Sequence, residues 1–127
     1  WNPSDYAIHL TRRARGLPFW FSLATYGVKA YRETIAYNIE VAKKFADIIR
    51  ERPYVQLVRE PELSIVVWER IGWEPEDYKR WSDMLIEKQI ALVTPSSHQG
   101  RVNTRVAILN PQTSLELLVE ILDTMED

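Results

Sequence analysis

The sequence predicts an α+β fold: a short, mostly antiparallel sheet with helices packed on one face, preceded by a long helix. Three observations carry this expectation. Between Val28 and Glu51 apolar residues recur at steps of three and four, a spacing that only a helix gathers onto one face. Short runs rich in β-branched residues then alternate with further helical stretches. The resulting order after the first apolar helix, α-β-β-α-β-β-α, pairs the strands two by two and leaves the helices to cover one side of them.

The elements follow in chain order. "WNPSDYAIHL" has no helical period and carries turn residues, so it reads as an irregular entry. Residues 12 to 26 read as a helix without a polar face, because Phe19, Trp20, Phe21, Leu23 and Ala24 surround its axis; such a helix requires cover on several sides. Gly27 punctuates. The long helix places Ile35, Ile39, Ala42, Phe45 or Ala46, and Ile49 on its core stripe, carries Lys43, Lys44 and Arg50 toward the negative end of its dipole, and stops before Pro53. "YVQLV" (54–58) alternates with Val55 and Leu57 on one side, and "LSIVVW" (63–68) reads as a central strand. "EPEDYKRWSDMLIEKQ" (74–89) is a helix with Pro75 in its first turn and Tyr78, Trp81 and Leu85 on its apolar face. "IALVT" (90–94) is expected as a strand, "PSSHQG" (95–100) as a loop, and "RVNTRVAIL" (101–109) as a strand. Thr113 and Glu116 fit a capping box that opens a last helix lined by Leu118, Ile121, Leu122 and Met125. A domain boundary is expected within residues 27 to 32.

Composition narrows the functional classes. With 16 basic and 18 acidic residues the net charge is -2, which speaks against a nucleic-acid partner or a polybasic membrane surface. The chain has no cysteine, so disulfide frameworks, Cys-based zinc sites and thiol catalysis are excluded, and a reducing, cytoplasmic setting is compatible. No apolar run reaches the length of a membrane span. The first residue is Trp1 rather than Met, which suggests a piece of a longer chain. There is no Gly-rich phosphate loop, no HExxH and no nucleophile elbow. His9 and His98 stand far apart in segments read as irregular, so no metal site is expected, and Ser96-Ser97-His98 within one loop is not a nucleophile with its base.

Two groups of arginines invite a functional reading. Arg105 shares a strand face with Ala107 and Leu109, opposite the valines; a guanidinium there either snorkels to water or holds a planar anion. Arg12, Arg13 and Arg15 stand at the start of a helix, where positive charge opposes the dipole; they are either solvated or near an anion. Periodicity and spacing go no further than an α+β module without a self-contained active site.

The order of the motifs goes further. The stretch "TRRARGLPFWFSLATYG", the long helix after it, the strand "ELSIVVW" and the terminal "GRVNTRVAILNPQTSLELL" together resemble the C-terminal part of the group II pyridoxal-phosphate-dependent amino-acid decarboxylases. That resemblance implies the fold-type I architecture, in which a large domain holds the cofactor on a Schiff-base lysine, a small C-terminal α/β domain caps it, and active sites lie at a homodimer interface. It implies that residues 1–27 are the tail of the large domain and residues 28–127 the small domain. The lysine, the histidine stacked on the cofactor ring and the aspartate on its nitrogen would all lie upstream, so no catalytic and no cofactor-binding residue is expected among these 127. The substrate would be an L-amino acid, a small molecule losing CO2 while the cofactor ring takes up the electron pair. Thr11 matches the position before the Arg-Arg pair that lies near the substrate side chain, although a plain helix N-cap is the other reading of it. Arg12 is the better-matched arginine of the pair, and Arg105 matches the arginine that approaches the substrate carboxylate in glutamate-decarboxylase-like members. Two other readings stay open: the small domain of another fold-type I enzyme, such as an aminotransferase or lyase, and a non-catalytic binding or dimerisation module.

Overall fold

A computed structural model describes residues 2–6, 8 and 13–126 of the chain. Thr11, Arg12 and His9 lie outside the described residues. The chain divides into two compact units, Trp1–Glu33 and Thr34–Asp127.

In the first unit a short 3-10 turn, Pro3–Tyr6, precedes the start of α1, which runs Gly16–Glu51. At Gly27 the backbone leaves helical geometry (φ 77°, ψ 157°), a region open to glycine and almost nothing else. The break has a local signature. Ser22 and Tyr31 are hydrogen-bonded through their hydroxyls, and Phe19 meets the edge of Tyr31 at 6.2 Å between ring centroids. Nine residues of straight helix would span about 13–14 Å, so Ser22 reaches Tyr31 only across a sharp bend. Phe19, Trp20 and Phe21 are 59%, 60% and 56% exposed.

The second unit is the α+β layer. The rest of α1 is followed by β1 (Val55–Arg59), β2 (Ile65–Arg70), α2 (Pro75–Glu87), β3 (Pro95–His98), β4 (Arg101–Ala107) and α3 (Leu115–Asp123). The four strands form one antiparallel sheet in the order β1-β2-β4-β3. Its inner face carries Val55, Val66, Trp68 and Thr104, all buried, and α1, α2 and α3 supply the opposing layer through Phe45, Ile49, Tyr78, Trp81, Leu85, Leu118 and Leu122. Trp68 is the centre of this core. Its ring meets Phe45 edge-on at 5.3 Å, and its indole N–H donates to the Met125 sulfur at 3.3 Å.

The buried stripe of α1 includes Ala42, Phe45, Ala46 and Ile49 as expected and departs from expectation only at its start. Asn38, Val41, Ala42, Phe45, Ala46 and Ile49 are buried, whereas Ile35 is exposed and Ile39 only half-buried. Asn38 is brought inward by a hydrogen bond from its Nδ2 to the Leu109 carbonyl at 3.2 Å.

Three further expectations are corrected. Residues 90–94 do not form a strand. Gln89 takes the left-handed conformation (φ 57°) that ends α2, the Ile90 N–H returns to the Leu85 carbonyl, and the Val93 carbonyl accepts from the Ser82 hydroxyl at 2.7 Å. The segment is therefore tied to α2 rather than to the sheet. The strand lies instead in the expected loop: Pro95–His98 pairs with Arg101–Thr104 around Gln99 (φ 51°) and Gly100 (φ 78°), two consecutive positive φ angles that make a tight hairpin turn. The last helix is capped one residue later than expected. The Ser114 hydroxyl, not Thr113, accepts from the Leu117 N–H at 3.2 Å. At the start of α2 the Glu74 N–H donates to Asp77 Oδ2 at 2.8 Å, and Arg80 pairs with the same carboxylate, which holds the Asp77 carboxyl below its ordinary range.

Among the described residues no helix is long and apolar enough to cross a membrane, and no group of acidic or histidine side chains is arranged to hold a metal ion.

Candidate functional site

The sheet face away from the helices carries the polar side chains of alternate residues. β4 contributes Arg101, Asn103 and Arg105, β3 contributes Ser96 and His98, and β2 contributes Ile65, Val67 and Glu69. The alternation is the period of a strand. It follows from the apolar residues at 66, 68, 102 and 106 being committed to the core.

On this face lies a cavity of about 390 Å³. The floor is Ile65 and Val67; one wall is the β1–β2 connection, from Arg59 to Leu63; the other is the β3–β4 hairpin with Ser96, Ser97 and His98. Arg105 stands opposite Val67 in the register and lines the cavity with Asn103. The charges of the loop wall are already matched: Arg59 pairs with Glu62 at 2.5 Å, and Glu60 pairs with Arg50. Arg105 has no hydrogen bond or ion pair among the described residues, so its guanidinium is available to an anion entering the cavity.

Asn103 is only 1% exposed although it stands on the uncovered face. Its Nδ2 donates to the Arg101 carbonyl at 3.3 Å. Glu69 is likewise buried. Its Oε2 accepts from Gln56 Nε2 at 3.0 Å and from the Arg101 guanidinium. Around the sheet end nearest the last helix, Arg70 donates to the carbonyls of Met125 (2.5 Å) and Glu126 (3.2 Å) and lies over the rings of Tyr54 and Trp73. The Tyr78 hydroxyl accepts the Arg70 N–H at 2.8 Å, and burial pushes this phenol above its ordinary value.

The structure thus brings Arg105 together with Ser96 and His98, which the sequence suggested only as a loop. It does not join them into a nucleophile–base arrangement, because Ser97 and His98 are exposed neighbours on one strand with no hydrogen bond between them. Arg13 and Arg15 are exposed ahead of α1. The sequence reading missed Asn103, Glu69 and Arg101. The signal that could have found them is Gln99-Gly100 between two alternating runs, which marks a hairpin and with it which side chains share a face.

A pyridoxal phosphate site needs a lysine amine inside an enclosed cavity. Lys29, Lys43, Lys44, Lys79 and Lys88 are all exposed, and none lines the cavity beside Arg105. These residues do not by themselves fit the cofactor.

Comparison with known proteins decides the family. Residues 2–71 match the pyridoxal-dependent decarboxylase conserved domain. The chain belongs to the pyridoxal-dependent decarboxylase family. Among its relatives, 3,4-dihydroxyphenylacetaldehyde synthase of Aedes aegypti is 30% identical over 84% of this chain and 20% of its own length. Aromatic-L-amino-acid decarboxylase of Bacillus atrophaeus is 25% identical over 95% of this chain and 27% of its own. The crystal structure of Oryza sativa TDC with PLP and tryptamine superposes with a TM-score of 0.80 at 21% identity, over 98% of this chain and 28% of that one. That superposition supports the fold, an α+β small domain of this decarboxylase family. The chain spans a fifth to somewhat over a quarter of the length of these proteins.

Proposed function

We propose that these residues are the C-terminal part of a pyridoxal-phosphate-dependent amino-acid decarboxylase that releases CO2 from an L-amino acid to give an amine. The family match supports the chemistry, and the short span relative to the relatives supports a longer chain. In this reading residues 1–27 are the tail of a large domain and residues 28–127 the small domain. The large domain holds pyridoxal phosphate on its own lysine. The enzyme is a cytoplasmic homodimer. The 127 residues alone bind no cofactor and release no CO2.

The observation that carries the reading to a residue is the unpaired guanidinium of Arg105 on a cavity wall. Arg105 binds the substrate carboxylate there, Thr11 lies near the substrate side chain, and Arg12 is close to the substrate. Arg105→Lys in the full-length chain keeps the charge but loses the two-pronged contact. It is expected to lower kcat/KM by on the order of thirtyfold, about 2 kcal/mol, with a shift in Tm of only a few degrees. Unchanged kcat/KM would return Arg105 to the role of a solvated strand residue. The same assay identifies the product. One relative is named an aldehyde synthase, so recovery of an aldehyde in place of the amine would replace simple decarboxylation with that outcome.

A further inference from the structure

We propose that Glu69 and Arg101 form a strap that sets the position of the β3–β4 hairpin, making both of them positioning residues for the cavity that Arg105 lines; the functional part of this rests on the reading of Arg105 given above.

The backbone ladder between β2 and β4 runs from Ile65–Ala107 to Trp68–Thr104 and stops there. The hairpin half of β4, from Arg101 to Asn103, therefore extends past the last β2 pairing while remaining paired to β3. Glu69, the next residue of β2, reaches across this gap to Arg101. It is 7% exposed on a sheet face that no helix covers, and Gln56 of β1 donates to the same oxygen. One carboxylate thus links β2 to β4 beyond the end of their ladder, while Gln56, its register partner within the β1–β2 ladder, holds it from the other side. The Glu69 side chain is 10% exposed and the Arg101 side chain 67% exposed, so the contact is a charge-assisted hydrogen bond that reaches inward from the surface and favours one hairpin position over others.

That position has consequences for the cavity. Arg101 is the register partner of His98, and Asn103 that of Ser96. Holding Arg101 against β2 fixes the wall formed by Ser96 and His98 relative to the floor formed by Val67, and so sets the space beside Arg105. Neither Glu69 nor Arg101 needs to touch the ligand.

The test uses the full-length chain. Hydrogen exchange is measured on the amides of Ser96 to Asn103 and, as an internal reference, on Val66 and Val106. Arg101→Met is expected to speed exchange in the hairpin about tenfold and leave the reference amides unchanged. Arg101→Lys, which retains the charge, should recover most of the protection. In the assay, Arg101→Met should raise KM about fivefold with kcat within about twofold, and this effect should vanish in an Arg105→Lys background, because both changes act on one contact. Should Arg101→Met fail to fold, Glu69→Gln is read in the same way. Unchanged hairpin exchange, or exchange raised equally through the whole sheet, overturns the strap. A KM effect fully additive with Arg105→Lys overturns its link to the cavity. If Arg105→Lys alone changes nothing, the carboxylate reading fails, and hairpin exchange still decides whether the strap exists.

Discussion

Tyr78 shows how much a single hydroxyl holds at the end of β2. Its ring is buried against Trp73, at 5.3 Å between centroids, and its oxygen accepts the N–H of Arg70, the residue that binds the carbonyls of Met125 and Glu126. Tyr78→Phe keeps the packing and leaves that N–H without its partner, which should cost about 1–3 kcal/mol in urea unfolding at neutral pH. The pH dependence has a definite sign. Burial raises the phenol's pKa in the folded state, so the neutral phenol is favoured there; its contribution is fully present below about pH 10 and is lost as pH rises through the folded value. Tyr78→Phe should therefore be less stable at neutral pH and lose less stability on the alkaline side. An alkaline limb identical in the two proteins would show that Tyr78 does not titrate with unfolding. At this scale the sequence was partly legible. Helical spacing alone assigns Tyr78 to the core, and strand alternation assigns Arg105 to the face opposite the valines. Neither assigns Glu69 or Asn103, because nothing local marks a polar residue as buried on an open sheet face; their burial comes from neighbours on other strands.

The elements were legible where one period ran long enough to be counted. Helix α2 and the apolar face of α3 follow from spacing, and β2 from its continuous β-branched run. The misplaced third strand has a physical cause. "IALVT" has the composition of a strand, but Ser82 takes the Val93 carbonyl and the left-handed Gln89 sends the chain along α2 first. "PSSH" has little strand propensity and is paired because the turn after it closes tightly, an instance of context outweighing propensity. The hairpin and the cap can be checked together. Gly100→Ala places a Cβ at φ 78° and should cost about 1 kcal/mol. Ser114→Ala removes the acceptor for Leu117 and should also cost about 1 kcal/mol, whereas Thr113→Ala should be close to neutral. Thermal or urea unfolding of the three variants separates them. Equal losses for Ser114→Ala and Thr113→Ala would mean that the cap is shared between the two.

At the scale of the whole molecule the chain joins a unit with its own core to one whose apolar surface is largely bare. Every residue of the buried cluster lies between Val41 and Met125. Removing residues 1–33 takes away none of them, so Thr34–Asp127 should fold alone with a single cooperative transition. The first unit is different. Leu17, Phe19, Trp20 and Phe21 expose more than half of their surface along adjacent turns of one helix, in a chain that spans a small fraction of its relatives. Apolar patches of this kind seldom stay bare in water. Under the proposed reading other parts of the enzyme cover them, and in the 127 residues alone another copy should. Sedimentation velocity at equal micromolar concentrations should therefore find residues 1–127 self-associated and residues 34–127 monomeric. Replacing Phe19, Trp20 and Phe21 together by serine in 1–127 should shift it toward the monomer without lowering the transition of the second unit. A monodisperse monomer for the unaltered 1–127 would refute the prediction, and loss of the cooperative transition in 34–127 would show that its core depends on residues outside it.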